Sequence, residues 1–350
     1  FPGRVRINLN KFYPFFYIFK EDMRGKNFVT IEKVLRAHPI KTALAFLFVL
    51  FFLGLTSWNY YAPLPIHDRN KKELARVKVP DPDNFTFAVC GDNKGNKSIF
   101  VPLLKDINHS SEMVFVIDVG DLVPKGERRF YRRFLKDVQK NLAIPLITVI
   151  GNHDLNNDSC HYEEIFGPTH YSFEIGRSYF IVLDATTENN FNKEEHKWLE
   201  NELKKAHASK TRFVFMHVPP LDPRGDGFHK CLKDGNDLLD LFKRYNVTHL
   251  FASHIHGYFS GKWDGVPYTI TGGAGGRLQG SDPNHFFHHY ITVHVQDQNA
   301  DIMVRPIQAE KNMVYLSEFL EDSALEWALL FGVGISLVTL VLSARNRRSS

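Results

Sequence analysis

Several short apolar segments of this 350-residue chain end in side chains that can bind a metal ion. In chain order, the polar residues that follow these segments are Asp92, Asp121, Asn152 with His153 and Asp154, His217, and His254 with His256. Carboxylate oxygens, an amide oxygen and imidazole nitrogens suit borderline divalent metals such as Zn, Mn or Fe. Because function collects at the carboxyl ends of strands in open α/β sheets, we predict that these side chains form one metal site.

Each of these residues has a plainer explanation when it is taken alone. Asp92 and Asp121 could cap helices that follow strands. His217 could be a core histidine bonded to the backbone, and the two histidines at 254 and 256 could be an exposed pair. Their joint occurrence at successive strand ends favours the metal site, since a site is recognised by groups that converge.

The elements that must position these residues alternate along the middle of the chain. Helical periodicity over residues 128–141 and 192–207 separates segments rich in β-branched and aromatic residues. The alternation predicts βαβ units and a mainly parallel core, with strands and no helices after His256. The predicted strands are 85–90, 113–119, 145–150, 179–184, 212–216, 249–253, 268–273, 290–295 and 302–307.

Such a ligand set favours phosphoester chemistry. A carboxylate that bridges two ions holds them roughly 3.5–4 Å apart, and a water molecule between them becomes hydroxide near neutral pH. The hydroxide can attack phosphorus in line while the metals neutralise charge on the transferring oxygens. His153 is then the predicted general acid at the leaving oxygen, and Asp154 is predicted to orient its imidazole.

The order of the motifs resembles the calcineurin-like metallophosphoesterases over about residues 85–295. The motifs are GD at 91–92, GD at 120–121, GNHD at 151–154, His217, HIH at 254–256 and GGAGG at 272–276. The resemblance implies a four-layer α/β/β/α sandwich and two divalent metal ions. It also implies that Asp121 bridges the ions and that His153 assists the leaving group. Asn152, His217 and His254 would complete one metal site, and Asp92 and His256 would belong to the other.

One position departs from the family's pattern. The first motif reads Asp92-Asn93-Lys94, where the family commonly has Asp-x-His, and an ammonium cannot coordinate a cation. Related purple acid phosphatases place a Tyr a few residues after the second Asp, but Pro124 stands at about that place here. Asn93 or water could fill the gap. Lys94 and Arg277 are candidates for binding the substrate phosphate.

Two apolar runs, 42–61 and 327–344, flank this central part and have the length that a bilayer requires. Aromatic residues end the first run, and Arg345, Arg347 and Arg348 follow the second, which favours a cytoplasmic C-terminus. We therefore predict two transmembrane helices and a catalytic domain that is periplasmic, extracellular or lumenal. A retained anchor is favoured over a cleaved signal peptide, because 41 residues precede the first run.

The predicted organisation has seven parts. They are a cytoplasmic or juxtamembrane segment (1–41), a transmembrane helix (42–61), a linker (62–84), the catalytic domain (85–310), a linker (311–326), a second transmembrane helix (327–344) and a basic tail (345–350). Three widely spaced cysteines form no disulfide framework and no CxxC metal site, and they leave a Cys160–Cys231 bridge open.

The leading hypothesis is a membrane-anchored hydrolase of phosphate mono- or diesters, whose substrate is a phosphorylated small molecule or a lipid-linked phosphate. The alternative is a catalytically weak sensor of the same fold that holds one metal and a phosphorylated ligand, which Lys94 motivates. A modest net charge of +4, spread along the chain, does not favour a nucleic-acid partner. The sequence indicates no oligomeric state.

Overall fold

The computed structural model describes residues 64, 66–155, 161–188, 193–225 and 231–308, together with residues 47, 48, 50, 51, 54 and 332. Two compact units divide the chain: Ser57–Glu321 is one, and Phe1–Thr56 with Asp322–Ser350 is the other. Within the second unit, the few described residues are helical. Among the described residues no helix is both long enough and apolar enough to span a bilayer. The predicted spans 42–61 and 327–344 lie largely outside the described residues.

Within Ser57–Glu321 the described strands form two sheets. The first sheet has the order β11-β10-β1-β2-β3 and the second has the order β4-β5-β6-β7-β9-β8. The strands are β1 (Asn84–Cys90), β2 (Met113–Asp118), β3 (Leu146–Thr148), β4 (Tyr171–Ile175), β5 (Ser178–Val182), β6 (Thr211–Phe215), β7 (His249–Ala252), β8 (Tyr258–Trp263), β9 (Val266–Thr271), β10 (His289–Gln296) and β11 (Asn299–Pro306). The central pairs β1-β2-β3 and β5-β6-β7-β9 are parallel, and the outer pairs are antiparallel.

Helices connect most of the parallel strands. They are α1 (Arg69–Leu74), α2 (Lys97–His109), α3 (Arg128–Asn141), α4 (His161–Phe166), α5 (Lys193–Lys205) and α6 (Gly235–Arg244). Short 3-10 helices cover Asn152–Asp154 and Ala206–Ala208. The most strongly amphipathic of the helices, α3, buries Tyr131, Phe134 and Val138 at three- and four-residue spacing.

Three apolar clusters separate four layers of secondary structure. In β1, Phe85, Phe87 and Val89 lie in a cluster between the two sheets, while Ala88 and Cys90 lie in a cluster that β1 shares with α2, α3 and α4. The opposite face of the second sheet packs on α5 and α6 in the same way. Successive strand residues point to opposite faces, so a strand covered on both sides must be apolar throughout.

Phenylalanine rings fill the cluster between the sheets. The Phe87 ring stacks on Phe115 of its own sheet with centroids 4.9 Å apart, and it meets Phe180 and Phe213 of the other sheet edge-on at 5.6 and 5.5 Å. Offset-stacked and edge-to-face pairs add about 0.5–1.5 kcal/mol each beyond the area they bury. This packing holds the two sheets, and the loops at their strand ends, in register.

The mixed α/β fold with two sheets was predicted correctly, and so was the parallel core. Sequence reasoning placed α3 and α5 but missed β4, β8 and the other helices, and the structure shows that the segment predicted as a linker, 62–84, contains α1. The side chain of Asn70 in α1 is buried and pairs with the backbone nitrogen and oxygen of Thr148, at 3.0 and 3.1 Å. Cys160 lies outside the described residues, so the bridge to Cys231 stays a prediction.

Candidate metal centre

The predicted ligands follow the carboxyl ends of strands in both sheets. Asp92, Asp121 and Asn152 follow β1, β2 and β3 of the first sheet, and His217 and His254 follow β6 and β7 of the second. The structure brings all of them, and His256, into one cluster joined by short side-chain distances, in which Asn152 and His254 are half-buried and the others are buried.

The backbone at these strand ends is strained. Asp92, Asp121 and His254 have φ angles of 59°, 58° and 68°, in the left-handed region that residues with a side chain rarely adopt. Strain of this kind persists only where the surrounding structure demands it, and it concentrates at functional sites. The three candidate ligands are therefore held in place at an energetic cost.

Glycines before the ligands permit a close approach of the loops. A Cβ at Gly151 would collide with the backbone nitrogen of Asp121, and a Cβ at Gly120 would lie 2.7 Å from Nδ1 of His217. The glycine in each of these motifs is thus explained by packing rather than by turn geometry alone.

One half of the centre gathers Asp121, Asn152, His217 and His254. His217 Nδ1 donates to the carbonyl of Val119 at 2.9 Å, so the neutral ring offers only a lone pair at Nε2. That lone pair faces Oδ1 of Asn152 at 3.0 Å and Oδ1 of Asp121 at 3.3 Å. Nδ1 of His254 lies 3.1 Å from the same Asn152 oxygen. Because Nε2 of a neutral His217 and the two oxygens that it faces are all acceptors, this contact requires either a second proton on the His217 imidazole or a metal ion.

The other half gathers Asp92 and His256 around the opposite oxygen of Asp121. His256 Nδ1 donates to the carbonyl of Arg277 at 2.7 Å, and its Nε2 faces Oδ1 of Asp92 at 3.2 Å. One ligand atom each from Asp92, Asp121 and His256 lies within 4.8 Å of the others. Oδ1 of Asp92 and Oδ2 of Asp121 are buried and accept no hydrogen bond from the described residues.

The electrostatics of the cluster favour positive charge. Burial alone would lower the pKa of His217, but the Asp121 carboxylate outweighs burial and raises that pKa to about 9. Burial would raise the pKa of Asp121, but His217 and Lys94 hold it well below its usual range. The carboxylate of Asp121, the amide oxygen of Asn152 and the imidazole nitrogens of His217 and His254 form a donor set that fits a divalent cation, which would take the place of the second proton on His217.

Lys94 lies in the cluster rather than at its rim. Its Nζ is 3.1 Å from Oδ2 of Asp121 and 3.9 Å from Oδ1 of Asp92, the two buried carboxylate oxygens named above. The half with Asp92 and His256 therefore lacks one ligand and already contains a positive charge, and it does not fit a second ion as it stands.

Asp154 has a different role from the one we predicted. Its buried carboxylate accepts hydrogen bonds from the backbone nitrogens of Asp121, Leu122, Val123 and Gly151, at 2.8–3.3 Å. The His153 ring is held instead by the carbonyl of Pro124, which accepts from Nδ1 at 3.0 Å. Asp154 thus positions the loop that carries Asp121, and it does not support the imidazole of His153.

His153 and Arg277 lie at the edge of the cluster. The His153 side chain is 41% exposed, and its Nε2 lies 4.0 Å from Oδ2 of Asp121. Arg277 contributes its backbone carbonyl to His256, while its side chain is exposed. Nothing in the structure tests the predicted phosphate contact of Arg277.

Sequence reasoning missed the residues that hold Asp92 and the loop after it. Ser253 Oγ and the backbone nitrogen of His254 both donate to Oδ2 of Asp92, at 2.6 and 2.8 Å. Asn93 Nδ2 donates to Oδ2 of Asp118 at 2.8 Å. The position of Ser253, directly before the His-x-His motif at a strand end, was the one sequence signal that pointed to it.

Comparison with known proteins confirms the resemblance. Residues 85–258 match the calcineurin-like phosphoesterase family, and the chain belongs to that family through them. A serine/threonine-protein phosphatase, CPPED1 of Rattus norvegicus, is 27% identical over 189 residues, which are 47% of this chain and 60% of that protein. A probable cyclic nucleotide phosphodiesterase of Rhodopseudomonas palustris is 28% identical over 178 residues, which are 46% of this chain and 64% of that protein.

Among solved structures, a dimetal phosphatase from Danio rerio has the same fold. It superposes with a TM-score of 0.50 at 13% identity and covers 63% of this chain and 96% of its own. The chain spans about 60% of the length of the curated relatives it matches.

Proposed function

We propose that this protein is a metal-dependent hydrolase of phosphate mono- or diesters. The observation that carries the proposal is the convergence of two imidazole nitrogens and an amide oxygen on the buried Asp121 carboxylate, a set of ligands that suits a divalent cation. A divalent cation held there supplies Lewis acidity and neutralises charge on a phosphoryl group. The family membership of residues 85–258 and the phosphatase and phosphodiesterase relatives support this reaction class.

In this proposal, different residues bind the cation and transfer the proton. Asp121, Asn152, His217 and His254 hold the cation, and the carbonyl of Val119 orients His217 by accepting from its Nδ1. His153 uses its Nδ1 hydrogen on Pro124, so Nε2 is the nitrogen that can carry a proton to the leaving oxygen. Its exposed position allows that proton to be replaced from solvent.

The proposed function also includes attachment to a membrane. The uncharged runs 42–61 and 327–344 support it, together with the exposure of Leu47, Phe48, Leu50 and Phe51, which are 44–61% exposed in the structure. In this proposal the catalytic domain lies outside the cytoplasm, and its substrates include lipid-linked phosphates. Protease protection of the full chain in sealed membranes tests this placement, and extraction by alkaline carbonate would contradict the anchor.

Hydrolysis of defined esters by the purified full chain tests the reaction. The substrates are an aryl phosphate monoester, a bis-aryl phosphate diester and a phosphorylated lipid in detergent micelles, each with Mn²⁺, Fe²⁺ or Zn²⁺. We expect metal-dependent turnover of at least one ester, and its loss in Asn152→Ala. The control is Asp297→Asn, which removes only a surface ion pair with Lys210. Metal binding without turnover of any ester would favour the sensor instead.

A further inference from the structure

The cluster contains a cation that belongs to the chain itself, the ammonium of Lys94. Its Nζ lies 3.1 Å from Oδ2 of Asp121 and 3.9 Å from Oδ1 of Asp92. Both oxygens are buried, and neither accepts a hydrogen bond within the part of the chain that the structure describes. A lysine side chain that is only 19% exposed and faces two buried carboxylates acts as their counter-ion.

The loop that carries Lys94 is fixed at several points. The backbone nitrogen of Lys94 donates to the carbonyl of Asp121 at 2.9 Å, and its φ of 47° lies in the left-handed region. Before it, Asn93 is anchored on Asp118 at 2.8 Å, and after it Asn96 donates to the carbonyl of Gly275 at 2.7 Å. The strained backbone therefore directs the side chain of Lys94 toward the two carboxylates.

The positions of the ligands show what the ammonium replaces. Asp92, Asp121 and His256 present their ligand atoms within 4.8 Å of one another, which would suit a metal ion. The residue two positions after Asp92 is Lys94, which has no lone pair when it is charged. A second dication in this half would lack that ligand and would meet a positive charge at contact distance. With the two carboxylates, one dication and the lysine, the cluster has a net charge of +1.

We infer that Lys94 takes the place of the second metal ion, so that the protein binds one divalent cation per chain, at Asp121, Asn152, His217 and His254. This inference rests on the proposed metal-dependent function, but its readout is metal content and not hydrolysis. A chain that holds one ion and hydrolyses no ester would leave this inference standing while the proposed function fails.

The experiment measures Mn²⁺ bound to the full chain, by native mass spectrometry and by electron paramagnetic resonance. We expect one ion per wild-type chain and the spectrum of an isolated Mn²⁺. Lys94→His supplies a neutral nitrogen ligand and removes the charge, so two ions should bind and their spectrum should show exchange coupling. Lys94→Gln removes the charge without an imidazole, and its second ion should bind more weakly than that of Lys94→His.

The matched control is Lys97→His, three residues further along. Lys97 has the same 19% side-chain exposure and pairs with Asp137 at 3.7 Å, away from the cluster. This variant should bind one ion, like the wild type. Two exchange-coupled ions in the wild type, no bound ion in the wild type, or a single ion in a folded Lys94→His variant would each overturn the inference.

Discussion

The two halves of the candidate centre share Asp121 but stabilise its negative charge in different ways. Around Oδ1 of Asp121, Asn152 and His217 come from the two sheets, and the positive charge that the described residues show there is a proton on His217. Around Oδ2, Lys94 supplies it. The comparison shows two ways to stabilise one buried carboxylate. In one half the ligands suit a metal ion, and in the other half a lysine side chain supplies the positive charge.

The largest expected effect is a difference in the loss of ester hydrolysis between the alanine variants of His217 and His256, which belong to different halves of the centre. His217→Ala removes a ligand from the half that contains Asn152 and His254. It should reduce ester hydrolysis on the order of 10³-fold or more, because loss of a residue that merely supports a metal ligand already costs up to roughly 100-fold. His256→Ala acts on the lysine half and should reduce it only about 10-fold. Steady-state kinetics at saturating metal measure both losses, and equal losses would break the comparison.

Asp154→Asn should have the next largest effect, and on stability. The variant weakens four hydrogen bonds to the backbone of the loops that carry Asp121 and Gly151, and the free energy of unfolding should fall by about 3 kcal/mol. Urea denaturation measures this loss. The control Asp297→Asn, at an exposed ion pair, should leave the free energy of unfolding nearly unchanged. A similarly small change in Asp154→Asn would contradict the positioning role.

The variant His153→Gln tests whether His153 donates a proton to the leaving group. Removal of a general acid costs about 10²-fold when the leaving group is a poor one. The same variant should lose little with an activated aryl ester, because that leaving oxygen needs no proton. A comparison of kcat for alkyl and aryl phosphates measures the difference, and an equal loss on both esters would show that His153 does not act as the acid.

The smallest expected effect is a dependence of stability on pH that comes from His249, a buried histidine of the core outside the centre. Burial lowers the pKa of His249, next to Thr269, to about 3, whereas Asp121 overcomes burial and raises that of His217. The folded protein keeps His249 neutral while the unfolded chain takes up a proton below about pH 6.5. Stability should therefore fall as the pH drops from 6.5, by about 2 kcal/mol at pH 5.

Chemical denaturation at pH 7 and pH 5 measures this dependence. His249→Gln keeps a hydrogen-bonding group for Thr269 but cannot titrate, so it should show a smaller loss between the two pH values. An unchanged pH dependence in this variant would exclude His249 as its source.

The sequence analysis correctly predicted the strands whose two faces are both buried. Strands such as β3 and β5 are buried at every residue, so their segments are mostly apolar. Strand β8 has Phe259 as its one fully buried residue and lies at a sheet edge, so its sequence carries no periodic signal. Helix α2 contains Pro102, which weakens the helical pattern.

At the centre, the sequence predicted which residues meet but not what each one contacts. The ligand types at strand ends were enough to predict the convergence of Asp92, Asp121 and His217. The acceptor role of Asp154 depends on backbone nitrogens some 30 residues away in the chain, which no side-chain pattern encodes. The approach of Lys94 to Asp121 depends on a left-handed backbone at two residues, and residue type alone does not predict it.

Anomalous diffraction from crystals of the full chain grown with Mn²⁺ would locate the cation directly. A single strong peak between the Asp121 carboxylate, the Asn152 amide and the imidazoles of His217 and His254, with the Lys94 ammonium still against Asp92, is the expected result. The absence of any peak among these side chains, under conditions in which solution measurements show bound Mn²⁺, would contradict the claim that they form a metal centre.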